Sequence, residues 1–307
     1  MGRVRVGVTG SSGLIGRSLV AALEQRGDEV VRFVRPITND TATNSLRWDP
    51  ANGDVDVEGL RRANLEAIVN LAGAGIGDRR WSPARKGEIL DSRVSATSTL
   101  ARAVLESGVG VGTFVNASAI GWYGSRGDDV LTETSARGTG FLSDVCQAWE
   151  DAAAPLLGAG TTVAYVRTGI VLDAHGGVLR QQLPLFRVGL GGRYGTGDQW
   201  MSPVSLADEV RAVLWTLDHH LSGPINVVAP SPLTNGDFTR VLARALRRPA
   251  FFAVPHFALG LVLGTEMADE LVFASQRVVP TALQDSGFQF EHPDATSALA
   301  WALATSH

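Results

Sequence analysis

The sequence predicts an α/β fold in which a doubly wound parallel sheet is followed by a smaller, mixed C-terminal lobe. Apolar, β-branched segments at 4–9 and 29–35 enclose a helical stripe at 16–26, and Gly27 stands where a helix cap belongs. Strands that are joined through a helix run parallel, because the connection crosses one face of the sheet. Further strand-like segments follow at 67–73, 113–119 and 163–172.

The remaining elements place a domain boundary near residue 173. Ser82 and Pro83 predict the start of a long helix that runs towards Gly108, and another helix is predicted at 141–154. Beyond the boundary the sequence predicts a glycine-rich loop, a strand, a helix and several short helices, at 189–197, 224–230, 234–248 and 255–307. We therefore expect a dinucleotide-type sheet domain at 1–172 and a substrate lobe at 173–307. The strand at 163–172 and part of 200–230 should pack back on the sheet.

Composition argues against several classes of protein. The 307 residues are 45% hydrophobic and 19% charged, and the net charge of −4 gives no reason to expect binding to nucleic acid or anionic membranes. Cys146 has no second cysteine to pair with, and the first residues contain no apolar signal core, so we expect a cytoplasmic protein. The longest apolar run, 257–264, is far shorter than the roughly 20 residues of a membrane-spanning helix. The histidines show no metal-ligand spacing, so no metal is expected.

The stretch VTGSSGLIG at 8–16 places three glycines at intervals of three residues between a strand and a helix. In this context the first glycine permits a tight turn, the second lets the backbone approach a pyrophosphate, and the third lets the helix pack on the strand. The free N–H groups at the start of the helix then face the phosphates. We predict a Rossmann-type dinucleotide site whose contacts come from Gly10, Ser12, Gly13, Leu14, Ile15 and Gly16.

The end of the second strand indicates which cofactor is bound. An acidic residue there would bind the ribose 2′-hydroxyl of NAD, whereas an arginine suits the 2′-phosphate of NADP. The strand ends in Arg32, Phe33, Val34 and Arg35, with no carboxylate. Arg35, at the exit of the strand, is the better phosphate contact, although it could also be an arginine solvated at a strand end. The residues favour NADP.

Several longer motifs resemble those of one superfamily: TGSSGLIG (9–16), NLAGAGIGDRRW (70–81), EILDSR (88–93), RTGIVL (167–172), LPLFRVGLGG (183–192) and INVVAPSP (225–232). With them the chain resembles the extended short-chain dehydrogenase/reductase superfamily, and more closely its atypical branch of epimerase-family proteins. The resemblance covers nearly the whole chain. It implies a Rossmann-type fold and an NADP-dependent oxidoreductase activity.

The resemblance also implies further cofactor contacts. Backbone around Leu71, Ala72 and Gly73 should pass the adenosine and ribose, and Ile170 should lie near the nicotinamide end. Glu88 and Arg93, on the long helix, would be additional contacts. These two are five residues apart and do not stack on one helix face, so they could instead be solvated helix charges.

The usual catalytic pair of the superfamily is missing. Active members carry a Ser or Thr and a Tyr-x-x-x-Lys motif, in which the lysine lowers the pKa of the tyrosine that transfers a proton. None of the three tyrosines here is followed by lysine at that spacing, and the only lysine, Lys86, belongs to another helix. The corresponding helix reads FLSDVCQAWE at 141–150, so Phe141 or Leu142 takes the place of the tyrosine.

Two hydroxyl groups remain as candidates for proton transfer. Ser118 ends its strand and is the superfamily serine by position, but it could equally be a strand-end hydroxyl bonded to backbone. Tyr123, five residues later, could bring its hydroxyl to the mouth of the site. The alternative is that its ring packs under the loop.

Two loops are candidates for the substrate side. Arg79, Arg80 and Trp81 precede the long helix and could line the cleft at the carboxyl ends of the strands, or form a basic surface turn. Arg193 and Gln199 flank the glycine-rich segment 189–197, which could close over a substrate or be an ordinary surface loop.

Three functions are left open by the sequence. The first is an NADP-dependent oxidoreductase that transfers a hydride to or from an unknown small carbonyl or alcohol substrate. The second is a non-catalytic NADP(H)-binding redox sensor or scaffold, related to division in some relatives, and the missing Tyr-Lys pair favours it. Sugar-nucleotide epimerisation, the third, needs an efficient base. A homodimer through the long helix is an expectation by analogy only.

Overall fold

The computed structural model describes residues 4–35 and 44–305 of the chain. Its strands are β1 (Arg5–Thr9), β2 (Glu29–Val34), β3 (Ser45–Asp49), β4 (Asp54–Val55), β5 (Ala67–Asn70), β6 (Thr113–Ala119), β7 (Val130–Leu131), β8 (Thr162–Thr168), β9 (Ile170–Leu172), β10 (Gly192–Tyr194), β11 (Trp200–Met201), β12 (Pro203–Ser205), β13 (Gly223–Val227), β14 (Leu233–Thr234), β15 (Phe252–Val254) and β16 (Arg277–Val278).

The α-helices of the described residues alternate with these strands through most of the chain. They are α1 (Leu14–Arg26), α2 (Val57–Ala63), α3 (Pro83–Ser107), α4 (Phe141–Asp151), α5 (Gly177–Arg187), α6 (Leu206–Asp218), α7 (Asn235–Leu246), α8 (His256–Leu263), α9 (Thr265–Ala268), α10 (Thr281–Asp285) and α11 (Ala295–Ala304). One π-helical turn, Asp269–Phe273, follows α9.

The main sheet has the strand order β13-β8-β6-β5-β1-β2-β3-β4 and is parallel except for β4, which runs antiparallel to β3. The order reverses between β1 and β5. Ligands of open α/β sheets bind outside the carboxyl ends of the strands at such a reversal. The predicted fold class, a Rossmann-type doubly wound sheet with a smaller lobe, is confirmed.

Helices cover both faces of this sheet and build two cores. Helices α1 and α6 pack together over one face, where Leu19 and Val213 are fully buried with the inward residues of the strands. Helices α2 and α3 cover the other face, where Leu60 and Leu100 are fully buried. Because both faces are covered, the central strands are rich in apolar residues, which made them easy to predict.

The ends of helix α3 are those that the sequence predicts. The Ser82 hydroxyl accepts a hydrogen bond from the Arg85 N–H (3.2 Å), and Pro83 occupies the first helical position, where no N–H is needed. Gly108 ends the helix with a φ of +67°, a conformation that costs glycine little.

Two parts of the sheet differ from the prediction. The sequence predicted no strand between 35 and 67, but β3 and β4 lie in this part of the chain, and Trp48 of β3 is buried against Phe33. The single strand predicted at 163–172 is divided at Gly169, where a Cβ would overlap the carbonyl oxygen of Ser202. Strand β9 therefore leaves the main sheet and pairs with β12.

The C-terminal lobe has its own small core, in which α5, α7 and α11 pack together. Strand β13 returns to the edge of the main sheet beside β8, so the chain passes from the sheet to the lobe, back to the sheet and again to the lobe. Strands β10 and β15 pair within the lobe. No helix among the described residues combines the length and the apolar character that are needed to cross a membrane.

Candidate functional site

The turn between β1 and α1 is packed in a way that only glycine permits. Gly10 has a φ of +61°, and a Cβ on it would lie 2.7 Å from the carbonyl oxygen of Leu71. A Cβ on Gly16 would overlap the carbonyl oxygen of Gly10. Helix α1 begins directly after Gly13, which has no side chain to cap the first turn. The N–H groups of that turn are therefore oriented as an anion-binding edge, as a pyrophosphate requires.

The loop after β5 faces this turn and is held in place by Thr9. The Thr9 hydroxyl accepts hydrogen bonds from the backbone N–H groups of Leu71 (3.0 Å) and Ala72 (3.2 Å). It donates one to the side-chain oxygen of Asn70, at 2.7 Å. Thr9 and Asn70 are opposite each other on β1 and β5, and both are fully buried. The structure thus brings Leu71, Ala72 and Gly73 to the glycine turn, where the strand order reverses.

A chain of buried polar side chains continues below the loop. The Asn70 amide donates to the side-chain oxygens of Asn116 (2.7 Å) and Thr97 (2.9 Å). Asn116 is opposite Asn70 on the next strand, and all three side chains are fully buried. None of these residues was predicted from the sequence to belong to the site. The signal that could have found Asn70 and Asn116 is an asparagine within each of two apolar strand segments.

The arginines near the end of β2 have different surroundings. Arg32 forms an ion pair with Glu24 (2.7 Å) on α1. Arg35 follows the last residue of β2 and is exposed at the carboxyl edge of the sheet, next to the strand that carries the glycine turn. Arg17, which sequence analysis missed, donates a hydrogen bond to the carbonyl oxygen of Ser12 (2.8 Å) and so lies beside the glycine turn.

Arg93 reaches from α3 to the loop after β5. Its guanidinium donates hydrogen bonds to the carbonyl oxygens of Ala74 (2.9 Å) and Ile89 (3.0 Å) and stacks on the Trp149 ring at 4.9 Å. A Cβ on Gly73 would lie 3.2 Å from the Arg93 side chain. Burial lowers the pKa of Arg93 to about 10, so it stays charged at neutral pH. The structure therefore brings Arg93 and Gly73 together beside the crevice.

Glu88 is surrounded by arginines. Its carboxylate forms an ion pair with Arg85 (2.6 Å) and lies 4.0 Å from Arg79. The hydrogen bond from Arg85 lowers the pKa of Glu88. The side chain is about half exposed, and its ion-pair partners are these two arginines and not Arg93.

Helix α4 carries no acid or base at the positions of the missing pair. A Cβ on Gly121 would touch both the Leu142 Cβ (3.2 Å) and the Cys146 sulfur (3.6 Å), so these two residues, four apart, face the end of β6. Burial raises the pKa of the Cys146 thiol to about 11. Phe141 instead packs on Trp81, with ring centroids 4.9 Å apart. Leu142 and Cys146 therefore occupy the Tyr-x-x-x-Lys spacing with groups that do not ionise at neutral pH.

The two predicted hydroxyls point into the protein. Tyr123 is fully buried; its hydroxyl donates to the Asn226 side-chain oxygen (2.7 Å) and accepts from Arg167 (3.1 Å). Burial raises the pKa of Tyr123. The Ser118 hydroxyl is buried as well and donates to Glu150 (2.7 Å). The expectation that Tyr123 brings its hydroxyl to the mouth is therefore wrong, because the ring packs under the loop, and Ser118 likewise offers no exposed hydroxyl.

These hydroxyls bond to a buried ion pair that sequence analysis missed. Arg167 donates hydrogen bonds to both carboxylate oxygens of Glu150, each at 2.9 Å. Burial lowers the pKa of Arg167, but the hydrogen bonds and charge of Glu150 outweigh it, so the net shift is upward. The guanidinium also stacks on the Trp122 ring at 3.9 Å. The signal for Arg167 was a charged residue inside an otherwise uncharged strand, whereas Glu150 stands among other acidic residues of α4 and gave no such signal.

Side chains of the two candidate substrate loops are held by contacts with neighbouring backbone, in part from the C-terminal lobe. Arg80 packs over Gly264, and the Trp81 indole donates to the carbonyl oxygen of Ile76 (2.9 Å). Gln199 donates hydrogen bonds to the carbonyl oxygens of Tyr194 (3.3 Å) and Val272 (3.2 Å).

Within the glycine-rich segment 189–197, strand β10 is paired with β15. Arg193, which belongs to β10, packs over Gly197. Part of this segment is therefore ordinary sheet structure.

Near the predicted nicotinamide end lie Ile170 and a buried carboxyl group. Ile170 begins β9, and its N–H donates to the carbonyl oxygen of Ser202 (3.0 Å). Two residues earlier, the Thr168 hydroxyl donates to Glu209 at 2.7 Å. Burial raises the pKa of Glu209 to about 8. Among residues 4–35 and 44–305, no three His, Cys, Asp or Glu side chains are grouped to hold a metal.

The family comparisons agree with this geometry. The model of the NAD dependent epimerase/dehydratase family matches residues 6–140, and a domain of unknown function (DUF1731) matches residues 254–302. The chain is 45% identical to epimerase family protein ML0860 of Mycobacterium leprae over 97% of this chain and 95% of that protein. It is 36% identical to epimerase family protein SDR39U1 of Bos taurus, over 96% and 98% of the two chains.

A solved structure shows the same fold along the whole chain. The crystal structure of human epimerase family protein SDR39U1 with NADPH is similar with a TM-score of 0.87 and 30% identity, and the match covers 98% of this chain and 99% of that chain. A nicotinamide dinucleotide thus fits the crevice described above, where side chains are absent from the turn and the opposite loop is fixed.

Proposed function

Because this chain belongs to the epimerase family within the extended short-chain dehydrogenase/reductase superfamily, we propose that it is an NADP(H)-dependent oxidoreductase acting on a small carbonyl or alcohol substrate. One observation carries the proposal: a glycine-only turn faces a backbone loop that Thr9 anchors, at the reversal of strand order. The NADPH in the human relative supports the choice of cofactor. Arg35, at the edge of the same crevice, supports the choice of NADP over NAD.

In this proposal each part of the cofactor has its own protein contacts. The first turn of α1 binds the pyrophosphate through the N–H groups that follow Gly13, and Arg35 binds the 2′-phosphate. The backbone of Leu71, Ala72 and Gly73 lies alongside the adenosine and its ribose. Arg93 presents a half-buried guanidinium, charged at neutral pH, beside Gly73. Ile170 provides an apolar contact at the nicotinamide end.

The nicotinamide, when bound, supplies the hydride-transfer chemistry. The chain's own residues hold the two reactants in place, but Leu142 and Cys146 cannot exchange a proton with them at neutral pH. Ser118 and Tyr123 are bonded to the buried Glu150–Arg167 pair. We therefore propose that solvent or the substrate itself supplies or accepts the proton that accompanies hydride transfer.

The second candidate function is a non-catalytic NADP(H) sensor or scaffold. The observation that favours it is the pair Leu142 and Cys146 at the spacing where active relatives carry tyrosine and lysine. Epimerisation of a sugar nucleotide is less well supported, since that reaction requires an efficient base in the same place.

Cofactor titration followed by a turnover screen tests these functions. NADPH and NADH are titrated by calorimetry, and a panel of carbonyl compounds is then screened by nicotinamide absorbance. Gly16→Ala, which places a Cβ on the Gly10 carbonyl oxygen, should abolish binding, whereas Gly110→Ala, in open space, should not. Tight NADPH binding with turnover supports the oxidoreductase. Binding without turnover supports the sensor, and no binding of either cofactor excludes both.

A further inference from the structure

Two segments of the C-terminal lobe form a surface that we call the basic apolar face, residues 174–197 and 238–265. Neither segment contains an aspartate or a glutamate, and together they contain seven arginines: Arg180, Arg187, Arg193, Arg240, Arg244, Arg247 and Arg248. The segments are joined in space, because β10 pairs with β15 and a Cβ on Gly189 would touch Pro249 at 3.5 Å. A continuous basic region therefore exists on a chain whose net charge is −4.

The same face carries most of the exposed large apolar side chains. Of the 11 exposed large hydrophobic residues in the described part of the chain, eight lie on it: Leu185, Val188, Leu190, Phe251, Phe252, Phe257, Leu261 and Val262. Phe251 is 87% exposed. Scattered exposed residues need no explanation, but this concentration on one face marks an interaction site.

Helix α8 is the most unusual element of this face. It reads HFALGLVL, and none of its residues is buried. Phe257 and Leu261, one helical turn apart, are 70% and 73% exposed. The helix is held at its start by His256, which bonds to Asp269 (2.6 Å) and packs on Phe273. An apolar helix is therefore fixed on the surface with its outer side in water.

The arginines that surround these apolar side chains lack counter-charges. Arg187, Arg244, Arg247 and Arg248 are exposed, and no ion pair or hydrogen bond of their side chains is found among residues 4–35 and 44–305. Carboxylates occur only at the border of the face: Asp237 pairs with Arg240, Glu266 with Lys86 and Asp269 with His256, and Asp198 lines a pocket with Arg193 and Arg240. Because Arg240 is paired with Asp237, the positive charges left for an external anion include those of the four exposed arginines named above.

We propose that the basic apolar face binds the surface of an anionic phospholipid bilayer. Apolar side chains of α8 and of 251–252 enter the boundary between headgroups and acyl chains, and the arginines contact lipid phosphates. Burial of apolar area and attraction of basic residues to anionic lipid add together at such an interface. The net charge of −4 predicted no such binding because it averages over the whole chain, whereas a membrane responds only to the charge within a Debye length.

The charge of the face also favours an anionic bilayer over a second copy of the chain as the binding partner. In a two-fold dimer the same patch meets itself, so the unpaired arginines of both copies would be brought together. Like charges at close range destabilise such an interface. A bilayer with anionic lipids neutralises the same arginines, and the proposal holds whether or not the cofactor crevice is occupied.

Vesicle sedimentation with the full chain tests the proposal. Phosphatidylglycerol vesicles should bind the protein, pure phosphatidylcholine vesicles much less, and added salt should weaken binding. The double variant Arg247→Gln/Arg248→Gln should lose about fivefold in partitioning for each arginine. Phe257→Ser/Leu261→Ser should lose at least about tenfold. NADPH affinity should be unchanged in both.

Matched control variants alter exposed residues of the sheet domain. Arg61→Gln/Arg62→Gln removes the same charge from α2, and Leu105→Ser/Leu157→Ser removes exposed apolar side chains from another surface. Both controls should bind vesicles as the wild type does. Equal binding to the two lipids, wild-type binding by the face variants, or no binding at all overturns the proposal. So does a dimer, seen by light scattering, that Phe257→Ser/Leu261→Ser dissociates.

Discussion

Arg167 and Glu150 form a bidentate ion pair, with both hydrogen bonds at 2.9 Å, beneath the carboxyl ends of β6 and β8. Both side chains are less than a tenth exposed. The pair also binds the hydroxyls of Ser118 and Tyr123, the two groups that sequence analysis proposed for proton transfer. Two hydroxyl groups that the sequence offered for proton transfer thus have a structural role in this chain.

Removing one partner of this pair should be strongly destabilising. Arg167→Met leaves the buried Glu150 carboxylate without compensation, and we expect the free energy of unfolding to fall by about 3–5 kcal/mol. The double variant Glu150→Gln/Arg167→Met should lose less than the Arg167→Met single variant. Urea denaturation of both single variants and the double variant measures the coupling. Additive losses would mean that the two charges do not depend on each other.

Thr9 should control cofactor affinity without touching the cofactor. Thr9→Val keeps the shape of the side chain but removes the acceptor for the Leu71 and Ala72 N–H groups, and each group left unsatisfied costs about 1–3 kcal/mol. We expect weaker NADPH binding and a lower melting temperature. Thr9→Ser retains the hydroxyl and should restore the affinity. Calorimetric titration compares the three proteins, and equal affinity in Thr9→Val would remove Thr9 from the site.

Arg35 should discriminate between the two cofactors. Arg35→Ala removes a charge-assisted contact to the 2′-phosphate, so NADPH affinity should fall by about 10-fold to 100-fold while NADH affinity changes little. Arg32→Ala is the matched control, because Arg32 is paired with Glu24 on the neighbouring helix. If Arg35→Ala lowers the affinities for NADPH and NADH equally, Arg35 does not bind the 2′-phosphate.

Glu209 should make the stability depend on pH. Burial raises the pKa of Glu209 from 4.5 to about 8, so the folded state keeps a proton that the unfolded chain has released. The free energy of unfolding therefore falls as pH rises from about 4.5 to about 8, and above 8 this contribution is constant.

Glu209→Gln cannot ionise and should lose this dependence. Relative to the wild type, its free energy of unfolding should gain up to roughly 4 kcal/mol between pH 5 and pH 8. Chemical denaturation at several pH values measures the difference. Glu58→Gln, on the exposed side of α2, should keep the wild-type slope. If the free energies of unfolding of Glu209→Gln and the wild type change with pH in the same way, the carboxyl of Glu209 is ionised in the folded state.

Much of the sheet and one half of the site were predictable because their signals are local. A turn that tolerates no Cβ must contain glycine at fixed spacing, so Gly10, Gly13 and Gly16 identify the crevice from sequence. Buried parallel strands are continuous apolar runs, and helix α3 has its cap residues within the chain itself. The missing Tyr-Lys pair was also visible, since it concerns the identity of residues and not their positions.

Contacts between residues far apart in the chain could not be predicted. The bonds from Thr9 to Asn70 and from Ser118 to Glu150 join residues 61 and 32 positions apart, and no periodicity relates them. The burial of Tyr123 and the clustering of arginines with α8 depend on which segments the lobe brings together.

By itself, the sequence determined that this chain forms a doubly wound sheet with a dinucleotide crevice and lacks the usual proton-transfer pair, because steric needs and residue identity act locally. Only the tertiary structure decided that Ser118 and Tyr123 form hydrogen bonds to a buried ion pair and that one face of the lobe is basic and apolar. Burial and charge pairing are properties of neighbours in space, and folding alone determines those neighbours.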